Sequence, residues 1–328
     1  MMVNYVVGVD VGGTTAKIGI FDSGRMPAVV AKTSVPTRTE NGGVHILPDI
    51  AEAISLLAEE AGIPMDEVSG IGIGVPGPVL MDRDTGHYYV NRCVNLGWGV
   101  KDLTAELSEL TGIGQEDIAA VNDANAAALG EVMCGGGDIH PDGIAVMVTI
   151  GTGIGAGIVM ADKVVRGAFG SAGEIGHIKV HPQHPLMAEM AGRMDSFGDL
   201  EYFTSATGIA NVAENALAVL HDDSVLRSES SPDAKSVFDA AKAGDALALK
   251  VTDFFFDTLG IGLGAVAGVV DPDMFIIGGG VSGAGEFLIS GLQKAYRKYV
   301  FHASADTEFR LAVLGNDAGM IGAACCCR

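Results

Sequence analysis

Positive charge is scarce in this chain of 328 residues. Twenty Lys and Arg stand against 41 Asp and Glu, a formal charge of −21. So acidic a surface repels nucleic acid and an anionic membrane, and neither is expected as the main partner. A phosphate ligand must then be gripped by local devices, not by a general positive field. The acidity itself is read as a solubility feature. Cysteine is scarce too: Cys93, Cys134 and the terminal run of residues 325–327, with no C-x-x-C pair and no disulfide framework. The run is expected to be a frayed end. Long apolar stretches are missing. The longest, LGIGLGAVAGVV at 259–270, is broken by Asp271 and falls short of the ~20 residues of a membrane span. The opening MMVNYVVGVD has no basic n-region and no apolar stretch before a cleavage site. A cytoplasmic protein is the expectation.

What is abundant is apolar residues, at 48%, and glycine, at 47 residues. The first implies a large buried core and the second many tight backbone positions. The length suits two domains. Two segments look alike, VDVGGTTAKIGIFD (9–22) and VTIGTGIGAGIVMAD (148–162). Each reads as a β-hairpin around a turn dense in Gly and Thr. Backbone N–H groups and threonine hydroxyls of such a turn can face one anion. The pair therefore points to two phosphate grips in two similar domains, or else to two ordinary hairpins in a glycine-rich chain.

Periodicity predicts helices over 45–62 and 100–112 and strands over 68–79 and 117–123. Farther on it predicts a long apolar helix over about 246–270, a strand at 274–280, a helix at 285–300, a strand at 309–315 and a helix at 317–324. Alternating strands and helices argue an α/β fold. The polar stretch 221–235 reads as a surface loop.

GIGVPG (72–77) matches G-x-G-x-x-G, but Pro76 and Pro78 prevent the helix that a dinucleotide fingerprint must open. No G-x-x-x-x-G-K-[ST] loop is present. GGGVS (278–282) is either a plain turn or a place for adenine or ribose against backbone. Glu174 and His177 in GEIGH suit hydroxyl recognition or a satisfied loop histidine. Glu201, at the start of a predicted helix, suits either the same task or the helix dipole. VNDANAAALGE (121–131) sets a carboxylate and two amides at a helix mouth, with Asn125 as the expected N-cap.

Together DVGGTTAK, GVPGPV, VNLGW, VNDANAAALGE, TIGTGIGAGI, GEIGH, GGGVS and LGNDAGMIGAA resemble the ROK family of sugar kinases and repressors. Within it they are most similar to the bacterial ATP-dependent glucokinases. The likeness covers essentially the whole chain, in the family's order. It implies a two-domain actin-like, hexokinase-like (ribonuclease H-like) α/β fold with a nucleotide and sugar cleft between domains. The small domain would be 1–121, with the helix at about 316–328 packing back on it, and the large one 122–315. The resemblance makes Asp123 the general base for a sugar hydroxyl, usually O6. Gly77, Asn122, Glu174, His177 and Glu201 would hold the sugar with it. Gly12, Gly13, Thr14, Thr15, Lys17, Gly151, Thr152, Gly153, Gly279 and Gly280 would bind ATP. Asp10 would hold Mg²⁺ through water. Glucose is the expected hexose, with N-acetylmannosamine, fructose or allose as alternatives. A sugar-sensing repressor is disfavoured because nine residues precede Asp10 and the charge is −21. A homodimer is the family's habit.

One departure concerns zinc. The family usually follows Gly-His with C-x-C-G-x-x-G-C-L-E. Residues 181–201 here, HPQHPLMAEMAGRMDSFGDLE, contain no cysteine, although Gly198, Leu200 and Glu201 survive. No structural zinc is therefore expected. Packing of Leu186, Met187, Met190 and Met194 would hold the loop, and a protein group would orient the second nitrogen of His177.

Overall fold

A computed structural model describes residues 4–136, 139–195 and 197–327. Of the stretches read above, residues 1–3 of the opening, Ser196 and Arg328 lie outside the described residues. The chain divides into two compact units. One comprises Met1–Asp142, Gly157–Gly173 and Val313–Arg328, the other Gly143–Ala156 and Glu174–Ala312.

The first unit opens with the antiparallel strands β1 (Tyr5–Val11), β2 (Thr15–Asp22) and β3 (Val29–Pro36). After a kinked turn, α1 (Glu40–Gly43), comes α2 (Ile46–Glu60). Ile46, Leu47, Ile50, Ile54 and Leu57 form its buried stripe, the spacing of one helix face. β4 (Val68–Val75) follows, then the small ribbon β5 (Val79–Met81), β6 (Tyr88–Val90) and β7 (Lys101–Asp102). The strand expected over 68–79 stops at Val75 because Pro76 and Pro78 cannot donate to a ladder. α3 (Leu103–Thr111) is capped by Asp102, whose side chain accepts from the Ala105 N–H, and ends at left-handed Gly112. β8 (Ile118–Asn122) completes a sheet of order β3-β2-β1-β4-β8, and α4 (Asp123–Cys134) leaves it directly. β1, β4 and β8 run parallel, which is why helical crossovers join them.

The second unit opens with β9 (Ile144–Ile150), which turns at Gly151–Thr152–Gly153 into β10 (Ile154–Met160); the chain passes to the first unit at Gly157 within β10, and β11 (Lys163–Val164) belongs to the first unit. Next come β12 (Lys179–Val180), α5 (Pro185–Glu189), β13 (Gly198–Asp199), α6 (Leu200–Thr204), α7 (Ala206–Val219) and α8 (Ala234–Lys242). α9 (Ala246–Val270), β14 (Met274–Gly278), α10 (Glu286–Tyr299) and β15 (Glu308–Leu311) complete it. β14 lies parallel between β9 and β15. The apolar stretch ending at 270 is part of a 25-residue helix, longer than its apolar run alone indicates, and by length and composition α9 could cross a membrane. Yet 56% of its most apolar window is buried within the protein. Phe255 and Phe256 pack edge-to-face on Phe238, and Gly291 of α10 lies against the Phe256 ring. The stretch 221–235 is more than a surface loop. Arg227 donates to the carbonyls of Leu217, Leu220 and Asp222, and Leu226 is buried.

The last helix, α11 (Ala318–Cys325), belongs to the first unit. It lies on β1 and β4 so closely that a Cβ at Gly8 or Gly72 would overlap the backbone oxygen of Met320 or Ala323. It also packs on α4, where Gly130 and Gly322 leave room for backbone against backbone. Fully buried Glu131 of α4 accepts from the N–H groups of Val313 (3.0 Å) and Leu314 (2.7 Å), fixing the chain as it enters α11. The cysteine run is therefore not a frayed end. Cys325 is buried with its Sγ 3.9 Å from that of Cys134, and burial pushes the thiols of Cys326 and Cys327 up to about 11 and about 12.

Candidate active site

In the first unit the candidate residues Asn122 and Asp123 stand where β8 becomes α4. Asn122 has extended backbone angles and is the N-cap: its Oδ1 accepts from the N–H groups of Ala124 (3.0 Å) and Asn125 (3.2 Å). Asn125, expected to cap, instead lies inside the first turn, 3% exposed, with Oδ1 unpartnered. The difference arises because β8 pairs with β4 as far as Val75↔Asn122, so helical geometry begins at Asp123. The same register brings the β4 exit beside the cap, and Asn122 Nδ2 donates to the Gly77 carbonyl at 3.2 Å. Asp123 occupies the first helical position, and its Oδ1 accepts from Ala124 N–H at 2.8 Å.

The β1–β2 turn presents Gly13, Thr14 and Thr15 to solvent. The Thr37 hydroxyl donates to the Gly12 carbonyl (2.8 Å) and the Thr37 N–H to the Thr14 carbonyl (2.9 Å), so the residue that follows β3 braces the turn. Thr37 was not anticipated from sequence; nothing in its local pattern distinguishes it. Asp10 and Lys17 are register partners. Lys17 Nζ donates to the Asn316 carbonyl at 2.6 Å. The Asp10 carboxylate lies against Gly319 at the start of α11 and makes no hydrogen bond or ion pair among the described residues. Burial raises its pKa, and the nearby Lys17 charge partly offsets this. A desolvated acid without a partner has the chemistry a cation site requires.

In the second unit the Gly151–Thr152–Gly153 turn is held from α7: Ala206 N–H donates to the Gly151 carbonyl (2.8 Å) and the Thr207 hydroxyl to the Thr152 carbonyl (3.2 Å). Glu201 lies in the first turn of α6, and its Oε2 accepts from Ile154 N–H at 2.7 Å. Its carboxylate therefore lies against Gly153, where a side chain would collide with it. Gly279 has φ +82° and abuts the Ile150 backbone, so any side chain there would be both strained and overlapping. It thus seats GGGVS beside the glycine turn. Next to Gly280 a cavity of about 350 Å³ opens, lined by Ala206, Lys235, Phe238 and Val281 among others. Lys235 and Phe238 escaped the sequence reading because they stand some forty residues from the nearest glycine motif. Glu174 and His177 are exposed at the two ends of one short turn, with His177 N–H donating to the Glu174 carbonyl.

Residues 181–194 close on themselves without thiolates. Leu186, Met187, Met190 and Met194 are all buried, as the loop's composition predicted. His184 caps α5, its Nδ1 accepting from Leu186 N–H (3.2 Å), and its ring meets the edge of Phe254. The one lone-pair nitrogen of the neutral ring is therefore engaged. Among the described residues no three of His, Cys, Asp and Glu gather as metal ligands.

The chain matches the ROK family over residues 6–328. It is 38% identical to a glucokinase of Halalkalibacterium halodurans over 323 residues, 97% of this chain and 93% of that protein. Among solved structures it is similar to a ROK hexokinase from Thermus thermophilus, at 32% identity and TM-score 0.74, covering 98% of this chain and 97% of that one. It is also similar to a ROK family glucokinase from Streptomyces griseus in complex with glucose and AMPPNP, at 30% identity and TM-score 0.70, covering 98% of each chain. With its glycine turns, helix-mouth aspartate and hexokinase-like α/β fold, the chain belongs to the ROK family.

Proposed function

We infer that this chain is an ATP-dependent sugar kinase and that its sugar is glucose, phosphorylated at O6. The observation that carries the reading is Asp123 at the first position of α4, beside an Asn122 anchored to Gly77. In the reaction the O6–Pγ bond forms and the bond from Pγ to the ADP oxygen breaks. Asp123 takes the hydroxyl proton as O6 attacks. Phosphoryl transfer otherwise depends mainly on positioning and charge neutralisation. In the first unit Gly12, Gly13, Thr14, Thr15 and Lys17 would face the phosphates. In the second, Gly151, Thr152, Gly153, Gly279 and Gly280 would line the nucleotide, with the adenine in the cavity beside Phe238. Glu174, His177 and Glu201 are proposed for the sugar hydroxyls. Asp10 would hold Mg²⁺ through water, and the metal would neutralise phosphate charge. The protein is proposed to act in the cytoplasm as a homodimer, without nucleic acid or membrane partners.

An ADP-release assay across hexoses tests the sugar. Glucose should give a higher kcat/KM than N-acetylmannosamine or fructose, because GVPGPV and VNLGW resemble the glucokinase loops. An acetylated sugar ahead by tenfold would overturn the assignment. Metal analysis tests the 181–201 loop. Untagged protein should carry far less than one zinc per chain. Near-stoichiometric zinc, or activity lost to a chelator and restored by zinc but not by excess Mg²⁺, would reveal ligands that the thiol-free loop does not suggest.

A further inference from the structure

Asp199 stands at the N-cap of α6, where an aspartate ordinarily accepts an N–H of the first turn. Its side chain makes no such bond. The carboxylate is turned instead across the β12–β13 ladder. Oδ1 accepts from Lys179 Nζ, and Lys179 is its register partner. Oδ2 lies 3.9 Å from Nδ1 of His177. The backbone on which it sits is fixed on the other side by Leu200 N–H donating to the Ile178 carbonyl at 2.8 Å. The hydrogen bond from Lys179 holds the Asp199 carboxyl below the usual carboxylate range, so it stays ionised.

His177 needs such a partner. Its side chain is 70% exposed, and the Asp199 carboxylate lies 3.9 Å from its Nδ1. An imidazole so exposed would otherwise rotate and exchange tautomers. We propose that Asp199 is a positioning residue, which holds the His177 imidazole with Nδ1–H toward its own carboxylate and so presents Nε2 as an acceptor to a sugar hydroxyl. This rests on the reading that His177 contacts the sugar. Asp199 takes over the orienting task that the loop, lacking thiolates, cannot give to a metal. A separation of 3.9 Å is long for a direct bond, and such contacts tighten when a ligand fixes the ring. Lys179 has its own part: its ammonium anchors Oδ1 of Asp199, leaving Oδ2 on the side of the His177 ring. Two residues on, Glu201 is held on Ile154 N–H, so one short ladder sets both groups.

The test combines kinetics with nitrogen NMR of the imidazole. Asp199→Ala should raise the KM for glucose about two- to tenfold, the cost of ordering one side chain on binding, with kcat changed less than KM. Asp199→Asn, which can still accept from Nδ1–H, should recover much of the loss. The double variant with His177→Ala should be no worse than His177→Ala alone, since the two act through one contact. In the sugar-free protein the His177 ring should carry its proton on Nδ1, and in Asp199→Ala it should shift toward the Nε2–H form. An unchanged tautomer in Asp199→Ala, or additive effects in the double variant, would overturn the proposal. If His177→Ala leaves the KM for glucose unchanged, the sugar contact itself is wrong, while the tautomer still reports on Asp199 independently.

Discussion

Asp123→Asn should lower kcat by roughly 10²-fold or more, the scale of a positioned general base. The substitution keeps the size and planarity of the side chain, and an amide oxygen can still accept from Ala124 N–H as the carboxylate does at 2.8 Å. The cap at Asn122 and its bond to Gly77 should remain intact. The affinity for sugar, measured directly by calorimetry or intrinsic fluorescence, should therefore change little. On the proposed mechanism, what is lost is the acceptor for the hydroxyl proton at the moment O6 attacks. Turnover close to that of the unmodified protein would remove Asp123 from the mechanism. A variant that loses sugar binding and turnover together would point to a structural role at the helix mouth instead.

Gly322→Ala should destabilise the first unit by about 3 kcal/mol, the upper end for overpacking a close contact. The expected sign is opposite to the intrinsic preference, since alanine is the better helix former by up to ~1 kcal/mol. The reason is that the new methyl would overlap the Ala126 carbonyl oxygen, backbone that cannot swing aside as a side-chain tip can. α4 and α11 would have to separate, and α4 carries Asp123 at its first position, so kcat should fall along with stability. Gly268→Ala is the control. That position, near the end of α9, has nothing within 4 Å of a new Cβ, and the variant should melt at or slightly above the parent temperature. Differential scanning calorimetry of the two variants decides the matter: equal melting temperatures would mean that the α4–α11 contact is looser than described.

Much of the fold is written in local pattern. The stripe on α2, the aspartate and glycine that bound α3, the long apolar run of α9 and the two glycine turns could be read directly, because helix period, capping and turn chemistry involve neighbours in sequence. The candidate site was legible to the same extent, since DVGGTTAK, VNDAN, GEIGH and GGGVS are each contiguous. Tertiary structure decided what local rules left degenerate. Asn122 and Asn125 both satisfy the preference for an N-cap, and only the β4–β8 register ends the strand at Asn122. Asp199 satisfies the same preference and does not cap, because a ladder partner and an imidazole compete for its oxygens. The terminal cysteines looked loose by position alone, yet glycines at 8, 72 and 130, far away in sequence, open the space in which α11 is buried. Phe238 joins Gly280 at one cavity through packing that no periodicity encodes. The sequence determined which segments are helix, strand and turn, and which contiguous motifs supply the candidate site residues. Register and close helix contacts, which depend on residues brought together from distant parts of the chain, decided which side-chain atoms are left available to a ligand.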